Sequence, residues 1–215
     1  MNLKKKIHLY FWTIRYLKIE QIFYRIKYLF INVRRIKVIK KPFILPSWTW
    51  SSPPFFVGCY DGKSTFNFLN KKIKFNGSIG WNDDSIEKLW LYNLHYFDDL
   101  NAIDSINRID AHHLLVKDWI ENNPLSEGGI GWEPYTLSIR LVNLIKWCSR
   151  LKIEDAEILE SIYSQAQVLS KTLEFHILGN HLFSNAKALM FVGHFFKGKV
   201  GEVFINQASA LFKRE

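Results

Sequence analysis

The feature that most limits how this chain can fold is a series of helical segments that begins after Trp81. Apolar residues recur there at the spacing of one helix face, and short breaks containing Asn, Pro or Gly separate the segments. The pattern predicts helices at 89–97, 106–122, 134–151, 154–178, 181–196 and 201–213. Asp84 and Glu87 have the spacing of a capping box before the first helix. Because short connections favour antiparallel helix hairpins, we predict a mainly α fold.

Residues 42–80 differ from the rest because prolines and glycines interrupt any long helix. Alternating apolar residues at 66–69 and 73–75 flank the segment 70–72, a pattern that is typical of two short strands and a turn. We therefore predict three regions, which are a basic helical leader (1–41), an extended linker with a small β-hairpin (42–80) and a helical domain (81–215).

The positive charge of the chain is concentrated in the leader. The net charge is +9, but residues 1–41 hold twelve Lys and Arg and one acid, Glu20, for a net of +11. The other residues hold seventeen basic and nineteen acidic side chains, for a net of −2. Arguments for an anionic partner from net charge therefore apply to the leader alone, and we predict no nucleic-acid partner.

Two interpretations of the leader remain open. Residues 7–39 contain neither Pro nor Gly, and their apolar positions alternate with basic ones at helical spacing. No apolar run is long enough to cross a bilayer, and Arg15 and Lys18 interrupt the stretch that a signal peptide would need. The leader could lie on an anionic membrane, or its apolar stripe could pack on the body. We favour packing as its main role and leave peripheral membrane contact open.

Composition and motifs exclude several classes of protein. A chain that is 48% apolar is not intrinsically disordered, and two cysteines exclude a disulfide-rich miniprotein and a four-cysteine zinc site. The sequence has no phosphate-binding Gly-rich loop, no GxSxG and no HExxH. The close histidine sets, 112–113 and 176/181, lack a carboxylate at a zinc-site spacing. We therefore predict no metal and no cofactor.

Polar residues in apolar surroundings mark two candidate clusters. Asn93 and His95 lie in a helix that is otherwise apolar, where they would either face a cleft or form a hydrogen-bonded pair in the core. Arg140 lies among Ile139, Leu141 and Val142, and is either a paired buried cation or a ligand for a carboxylate or sulfate. A salt bridge from Arg140 to a nearby acid such as Glu133 is an equally good explanation.

A third cluster surrounds an Asn-His pair at 180–181. Gly179 is predicted to end one helix, and Asn180 to cap the next, which would be a purely structural role. The same pair would also present an amide donor and an imidazole at one point of the helix mouth. The sequence around this cluster does not choose between the two roles.

Together the three clusters resemble a known family. In order they are Trp-x-Tyr-Asn-Leu-His-Tyr-Phe-Asp at 90–98, Gly-x-Gly-Trp-Glu-Pro-Tyr with Arg140 and Asn143 at 129–143, and Glu-Phe-His-x-x-Gly-Asn-His with Asn185 and Lys187 at 174–189. This order is similar to the N-terminal half of the heparinase II/III-like polysaccharide lyases. Residues 21–25 also resemble the leader of members found in bacterial surface-polysaccharide gene clusters, so the resemblance runs from about residue 15 onward.

The resemblance implies a fold, a reaction and a site. The fold is an incomplete (α/α) toroid of helix hairpins followed by a β-sandwich, and the reaction is β-elimination at a uronic acid of an acidic polysaccharide. By the matching motifs, Asn180 neutralises the uronate carboxylate, and His181 is its neighbour in the catalytic site. The remaining matched residues line the substrate groove, namely Asn93, His95, Trp132, Tyr135 and Arg140.

One departure from the family bears on activity. Complete members carry a catalytic Tyr, a further His and the β-sandwich beyond the Asn-His motif, and this sequence ends at Glu215 without them. We therefore predict the N-terminal portion of a lyase, with little or no activity by itself. Two competing functions are a non-catalytic module that binds acidic glycan and a protein that acts at the membrane surface through its leader. The sequence leaves the uronic acid, the compartment and the oligomeric state open.

Overall fold

The computed structural model describes residues 15–39, 50–51 and 57–214, together with positions 8 and 12. Within these residues the fold is mainly α, as predicted, with one small antiparallel sheet. The seven described α-helices are α1 (Ile19–Phe30), α2 (Lys88–Tyr96), α3 (Ile109–Asn122), α4 (Pro134–Leu151), α5 (Ala156–Lys171), α6 (Gly179–Phe195) and α7 (Lys199–Phe212). Short 3-10 turns occur at Val33–Arg35, Asp98–Asn101, Ser105–Arg108 and Ile130–Trp132.

The helix α4 is the centre of the domain. It contacts α2, α5 and α6, and α6 packs in turn on α7. Pro134 stands in the first turn, where its missing N–H costs nothing, and Lys152 ends the helix in the left-handed conformation. Apolar side chains are buried nearly all round this helix, which is why it lies inside the fold and not at its surface. The predicted bounds, 134–151, are confirmed.

Two predicted helix ends are wrong. The helix predicted at 154–178 ends at Lys171, and residues 172–178 form turns that carry Glu174 toward α6. Gly179 therefore does not end a helix but begins α6, and Asn180 lies inside the first turn instead of capping it. Periodicity extended the prediction too far because the apolar residues of 172–178 are also partly buried in the core.

The predicted capping box before α2 is not formed. This helix begins at Lys88, and Glu87 at its N-cap makes no side-chain cap hydrogen bond. Asp83, not Asp84, is the local acceptor, since its carboxylate takes hydrogen bonds from the backbone N–H and the hydroxyl of Ser85. The capping-box prediction therefore began at Asp84, one residue after the aspartate whose side chain accepts the hydrogen bonds of this turn.

The predicted β-hairpin is confirmed. Its strands are β1 (Thr65–Phe68) and β2 (Lys71–Lys74), and Phe66 faces Ile73 across the pair. Leu69 and Asn70 form the two-residue turn with φ of 53° and 60°, the left-handed region that a tight hairpin requires. The hairpin is fixed to α2 because the Phe68 ring packs edge-on at 5.0 Å against Trp90, whose indole N–H donates to the Lys71 carbonyl. The prolines predicted to shape the linker, at 42, 46, 53 and 54, lie outside the described residues.

A buried carboxylate attaches the linker to the helical domain. Asp99 Oδ1 accepts hydrogen bonds from the backbone N–H groups of Cys59 (2.7 Å) and Tyr60 (3.0 Å). Its Oδ2 accepts from Arg108 Nε (2.9 Å) and from His112 Nε2 (2.7 Å). Burial acts to raise the pKa of Asp99, but these hydrogen bonds outweigh it and hold the pKa below its usual value.

The leader helix α1 docks on the body through its polar and aromatic side, which corrects the favoured interpretation for this helix. Beyond the helix, Val33, Ile36 and Val38 of the leader do pack against the core, as that interpretation predicted. Tyr24 stacks on Phe175 with ring centroids 4.5 Å apart, and Tyr28 lies 4.7 Å from His176. The apolar residues on the opposite side are exposed, and no residue of α1 is buried. Much of the remaining leader lies outside the described residues. Within the described ranges, no helix is long and apolar enough to cross a membrane.

Candidate functional site

Arg140, predicted to bind substrate, is fully buried between helices. Its Nε donates to Gln165 Oε1 (2.9 Å), and its terminal nitrogens donate to the carbonyls of His95 (3.2 Å) and Gly131 (2.6 Å). The guanidinium also lies 4.0 Å from the centre of the Trp119 ring. Burial lowers its pKa to about 9. In this arrangement Arg140 ties α4 to α2 and α5 and has no contact with solvent.

Glu133, the acid considered as a partner for Arg140, forms other contacts. It pairs with Lys88 at 2.8 Å and accepts a hydrogen bond from the Tyr92 hydroxyl. The proposed salt bridge between Arg140 and Glu133 is therefore not made. Instead of a carboxylate, two backbone carbonyl oxygens and one side-chain amide oxygen accept hydrogen bonds from the Arg140 guanidinium. The spacing of residues in the sequence does not predict these partners.

His95 and Trp132, also predicted for the groove, are core residues. His95 Nδ1 accepts from Trp119 Nε1 (2.8 Å), and its Nε2 lies 2.9 Å from the carbonyl of Trp81. Burial, with the nearby charge of Arg140, lowers the pKa of His95 to about 3, so the ring is neutral and donates from Nε2. Trp132 is buried and donates from its indole to the carbonyl of Asn123 at 3.1 Å. Neither side chain lines the cleft that contains the other predicted groove residues, although an edge of Trp132 contributes to the wall of a separate cleft of about 400 Å³ beside Arg34 and Glu133.

The other predicted groove residues, Asn93 and Tyr135, line a cleft with a volume of about 310 Å³. We call it the polar cleft. Its other lining residues come from α2, the turn that follows α2, α4 and α6, and they are Tyr96, Asp98, Ile139, Val142, Asn143, Lys146 and Lys187. Two cations, two amides and two phenol rings thus converge on one opening, a set that can bind a carboxylate on a polar ring.

The electrostatics of the polar cleft favour an anion. Burial and the nearby charge of Lys187 lower the pKa of Lys146, whereas Asp98 acts in the opposite direction. Burial raises the pKa of Asp98, whose Oδ1 accepts a hydrogen bond from Asn143 Nδ2 at 2.7 Å. Lys146 also lies 4.8 Å from the centre of the Trp50 ring. Two partly desolvated cations that repel each other are stabilised when a negative group binds between them.

The Asn-His pair lies at the start of α6, and its two residues differ in environment. Asn180 is exposed, whereas His181 is about one-third exposed and its Nδ1 lies 3.0 Å from Glu174 Oε1. The carboxylate of Glu174 is buried, and its other oxygen accepts from Asn185 Nδ2 at 3.0 Å. The resulting His181–Glu174 pair has the form in which a carboxylate fixes the tautomer and orientation of an imidazole.

Tyr135 connects the His181–Glu174 pair with the polar cleft. Its ring lies 4.5 Å from the His181 ring and also forms part of the cleft wall. Four of the seven predicted site residues are therefore at or near one opening, and three are buried behind it. Among the described residues there is also no group of three or more His, Cys, Asp or Glu that could hold a metal ion.

Comparison with known proteins gives no match of any kind. No protein-family model, no curated protein and no solved structure matches this chain. What the protein does must therefore be inferred from its own residues and from the geometry of the polar cleft and the His181–Glu174 pair.

Sequence reasoning missed six polar side chains of this region as members of the site, namely Tyr96, Asp98, Asn143, Lys146, Glu174 and Lys187. A signal existed for two of them, since Tyr135, Asn143 and Lys146 recur on one side of α4. Glu174 and Lys187 belonged to a matched motif without being assigned a role. Their position beside the cleft or beside His181 depends on how α6 packs against α4, which periodicity does not specify.

Proposed function

We propose that the polar cleft binds a uronate unit of an acidic polysaccharide, and that the chain forms part of a β-elimination site. The observation that carries this proposal is the convergence of Lys146 and Lys187 with two amides on an opening whose wall includes Tyr135, the ring neighbour of His181. A uronate needs these groups because it carries one carboxylate on a ring of hydroxyls.

The composition of the cleft wall suits a sugar better than a simple anion. Tyr96 and Tyr135 present phenol rings 6.3 Å apart at a steep angle, and such rings can cover the apolar face of a sugar while their hydroxyls remain available for hydrogen bonds. Asn93 uses one amide N–H on the Leu89 carbonyl, so its other N–H and its oxygen can bind sugar hydroxyls. Asn143 instead donates both N–H groups to Tyr96 and Asp98 and so orients the Asp98 carboxylate at the cleft. A free phosphate or sulfate would use the two lysines but not these neighbours.

The His181–Glu174 pair supports the chemistry of elimination. The hydrogen bond from Nδ1–H to Glu174 leaves the lone pair on Nε2, so Nε2 is the atom that can accept the proton from C5 of the uronate. As that proton leaves, the bond from C4 to the glycosidic oxygen breaks, and a C4–C5 double bond forms. The imidazolium then gives the proton to the leaving glycosidic oxygen. His181 thus acts first as base and then as acid, and it returns to its neutral form at the end of the reaction.

Asn180 is the residue we assign to the uronate carboxylate. It lies in the first turn of α6, where free backbone N–H groups and the helix dipole already favour negative charge. An amide donor at the carboxylate makes the C5 proton more acidic because it stabilises the enolate charge that develops there. The exposed position of Asn180 leaves it accessible to a polymer.

The arrangement of α4 to α7 is consistent with the (α/α) toroid that the resemblance implies. The helices α4 and α5 are joined by four residues and α6 and α7 by three, and such short connections favour antiparallel hairpins. We propose these helices as two consecutive hairpins of a partial toroid, with the polar cleft on the side where α2 and α6 meet α4.

Binding is tested by calorimetric titration with a uronate oligosaccharide at low salt. We expect Lys146→Ala/Lys187→Ala to weaken binding at least tenfold, or about 1.4 kcal/mol, because both cations line the cleft and attract the negative charge of the oligosaccharide. The matched control is Lys197→Ala/Lys213→Ala, which removes the same charge at exposed positions outside the cleft. Equal affinity of the cleft variant and wild type, or equal binding of a neutral oligosaccharide, would contradict the proposal.

A second function, glycan binding without catalysis, is favoured by one observation. Both oxygens of Glu174 are engaged, by His181 and by Asn185, so this carboxylate does not itself transfer a proton, and His181 would have to serve as both base and acid. The two functions are separated by the ultraviolet absorbance of unsaturated uronate. Product that forms with wild type and not with His181→Ala identifies a lyase, whereas binding without product identifies the non-catalytic module.

A further inference from the structure

The exposed side of α1 carries a continuous apolar stripe. Ile19, Phe23, Ile26 and Phe30 recur at the spacing of one helix face, and their exposed fractions are 87%, 59%, 54% and 83%. We call these four residues the leader stripe. Large apolar side chains of a folded domain are seldom exposed together in this way, and a contiguous patch of them marks an interaction surface.

Basic residues flank the leader stripe. At 3.6 residues per turn, Lys27 lies on one border of the stripe. On the other border the exposed Leu29 extends the apolar surface, and Arg25 lies beyond it, toward the side of α1 that meets the body. Both cations are exposed, and so are Lys18, just before the helix, and Arg35, beyond its end. An exposed apolar stripe flanked by cations is typical of helices that lie in the plane of a membrane interface.

The side of α1 opposite the leader stripe is already occupied. Tyr24 stacks on Phe175, and Tyr28 packs on His176, so the helix is held to the body with its apolar side outward. The stripe is therefore not a core face that has lost its partner through fraying of the helix. It is presented to whatever approaches from outside the domain.

We infer that α1 docks this protein on an anionic lipid bilayer, with the leader stripe in the acyl boundary and its bordering cations at the headgroups. Charge complementarity selects this occupant, because residues 1–41 have a net charge of +11 and the rest of the chain has a net charge of −2. A second copy of the chain would place the same cations against each other, which disfavours a dimer through this face.

Docking through α1 has a consequence for the candidate site. The residues on which Tyr24 and Tyr28 pack directly follow Glu174, the partner of His181. A bilayer bound to the leader stripe would therefore lie on the far side of α1 from these residues, one helix diameter (~10 Å) away. The site would then work on polymer held at a membrane surface and not on polymer free in solution.

The test is co-sedimentation of the full chain with vesicles of phosphatidylcholine alone and of phosphatidylcholine with phosphatidylglycerol in equal parts. We expect binding to the anionic vesicles, weakened by salt, and little binding to the neutral ones. Phe23→Gln/Phe30→Gln should reduce partitioning at least tenfold, because two buried rings are removed. Arg25→Gln/Lys27→Gln should reduce it about fivefold per cation, which corresponds to about 1 kcal/mol each.

The matched control is Leu114→Gln/Ile106→Gln, which removes two exposed apolar side chains from another part of the surface. Glutamine is a good helix former, and circular dichroism verifies that each variant is folded. Unchanged vesicle binding by the stripe variant, equal binding to neutral vesicles, or the absence of binding would overturn the inference. A dimer that Phe23→Gln/Phe30→Gln dissociates, without vesicle binding, would instead identify the stripe as a contact between two copies.

Discussion

Asp99 offers the sharpest test of how the linker is held to the helical domain. In Asp99→Asn, the retained oxygen can still accept from the backbone N–H groups of Cys59 and Tyr60, provided that it takes the place of Oδ1. The new amide group then faces Arg108 Nε, which can only donate, and His112 Nε2, which can accept from the amide if the imidazole proton moves to Nδ1. The substitution therefore leaves the size of the side chain unchanged, replaces the ion pair with Arg108 by an unfavourable contact and removes the charge that His112 binds.

The expected loss follows from the burial of these groups. The side chains of Asp99, His112 and Arg108 are 5%, 0% and 13% exposed, so little water can replace the lost contacts. A hydrogen bond to a charged group contributes about 1.5–3 kcal/mol, and removal of one partner from a buried ion pair costs about 3–5 kcal/mol. We expect Asp99→Asn to lower the free energy of unfolding by about 3–5 kcal/mol in urea denaturation.

The control for this prediction is Asp104→Asn. Asp104 binds the same arginine at 2.7 Å, but its side chain is 55% exposed, so its loss should be far smaller. Equal destabilisation by the two substitutions would refute the argument from burial. It would then follow that Arg108, and not the buried carboxylate, holds the linker in place.

The same carboxylate gives a prediction for the dependence of stability on pH. Because the folded pKa of Asp99 lies below the unfolded value of about 3.9, the group stabilises the fold above about pH 4. That contribution is lost as the pH falls through the lowered folded pKa. We expect the stability difference between wild type and Asp99→Asn to be constant near neutral pH and to shrink on acidification, as measured by urea denaturation at a series of pH values.

Three further predictions concern packing around the candidate site. Arg140→Met should lower the free energy of unfolding by about 3 kcal/mol or more, because it leaves three buried oxygens without a donor. Gly129→Ala should cost about 1–3 kcal/mol more than Gly77→Ala, since both have positive φ but only at 129 would the new Cβ come within 2.6 Å of a side-chain oxygen. Asn185→Ala should cost about 2 kcal/mol or more, because it removes both of its hydrogen bonds to Glu174. Urea denaturation measures each loss.

Local features of the fold were predictable because short segments determine them. The alternation of apolar residues around Asn70 and the proline at 134 indicate the hairpin and the start of α4 from neighbouring residues alone. The end of α5 was not predictable in this way. Residues 172–178 keep apolar side chains that pack in the core, and only their packing against α6 decides that they form turns.

The candidate site was predictable in residue type more than in arrangement. The motifs identified Asn93, Tyr135 and the 180–181 pair; in the structure Asn93 and Tyr135 line one opening, His181 contacts the Tyr135 ring, and Asn180 precedes His181 at the exposed start of α6. Arg140 was also singled out, because a cation among apolar residues must have a special environment. Arg140 could bind an external ligand or the carbonyl groups of the protein itself. Which of the two it binds depends on the positions of the C-terminal end of α2 and of the loop at Gly131, and the spacing of residues within α4 does not predict those positions.

The sequence by itself determined that the chain is mainly helical, that a hairpin lies between the leader and the helical domain, and that positive charge is concentrated in the leader. Periodicity and composition carry these properties because they depend on neighbours within a few residues. Only the tertiary structure decided three features. These are the side of α1 that meets the body, the two lysines that line the polar cleft, and the hydrogen bond between Glu174 and His181. These depend on contacts between residues far apart in the chain, where burial and hydrogen-bond satisfaction select one arrangement among several that the pattern allows.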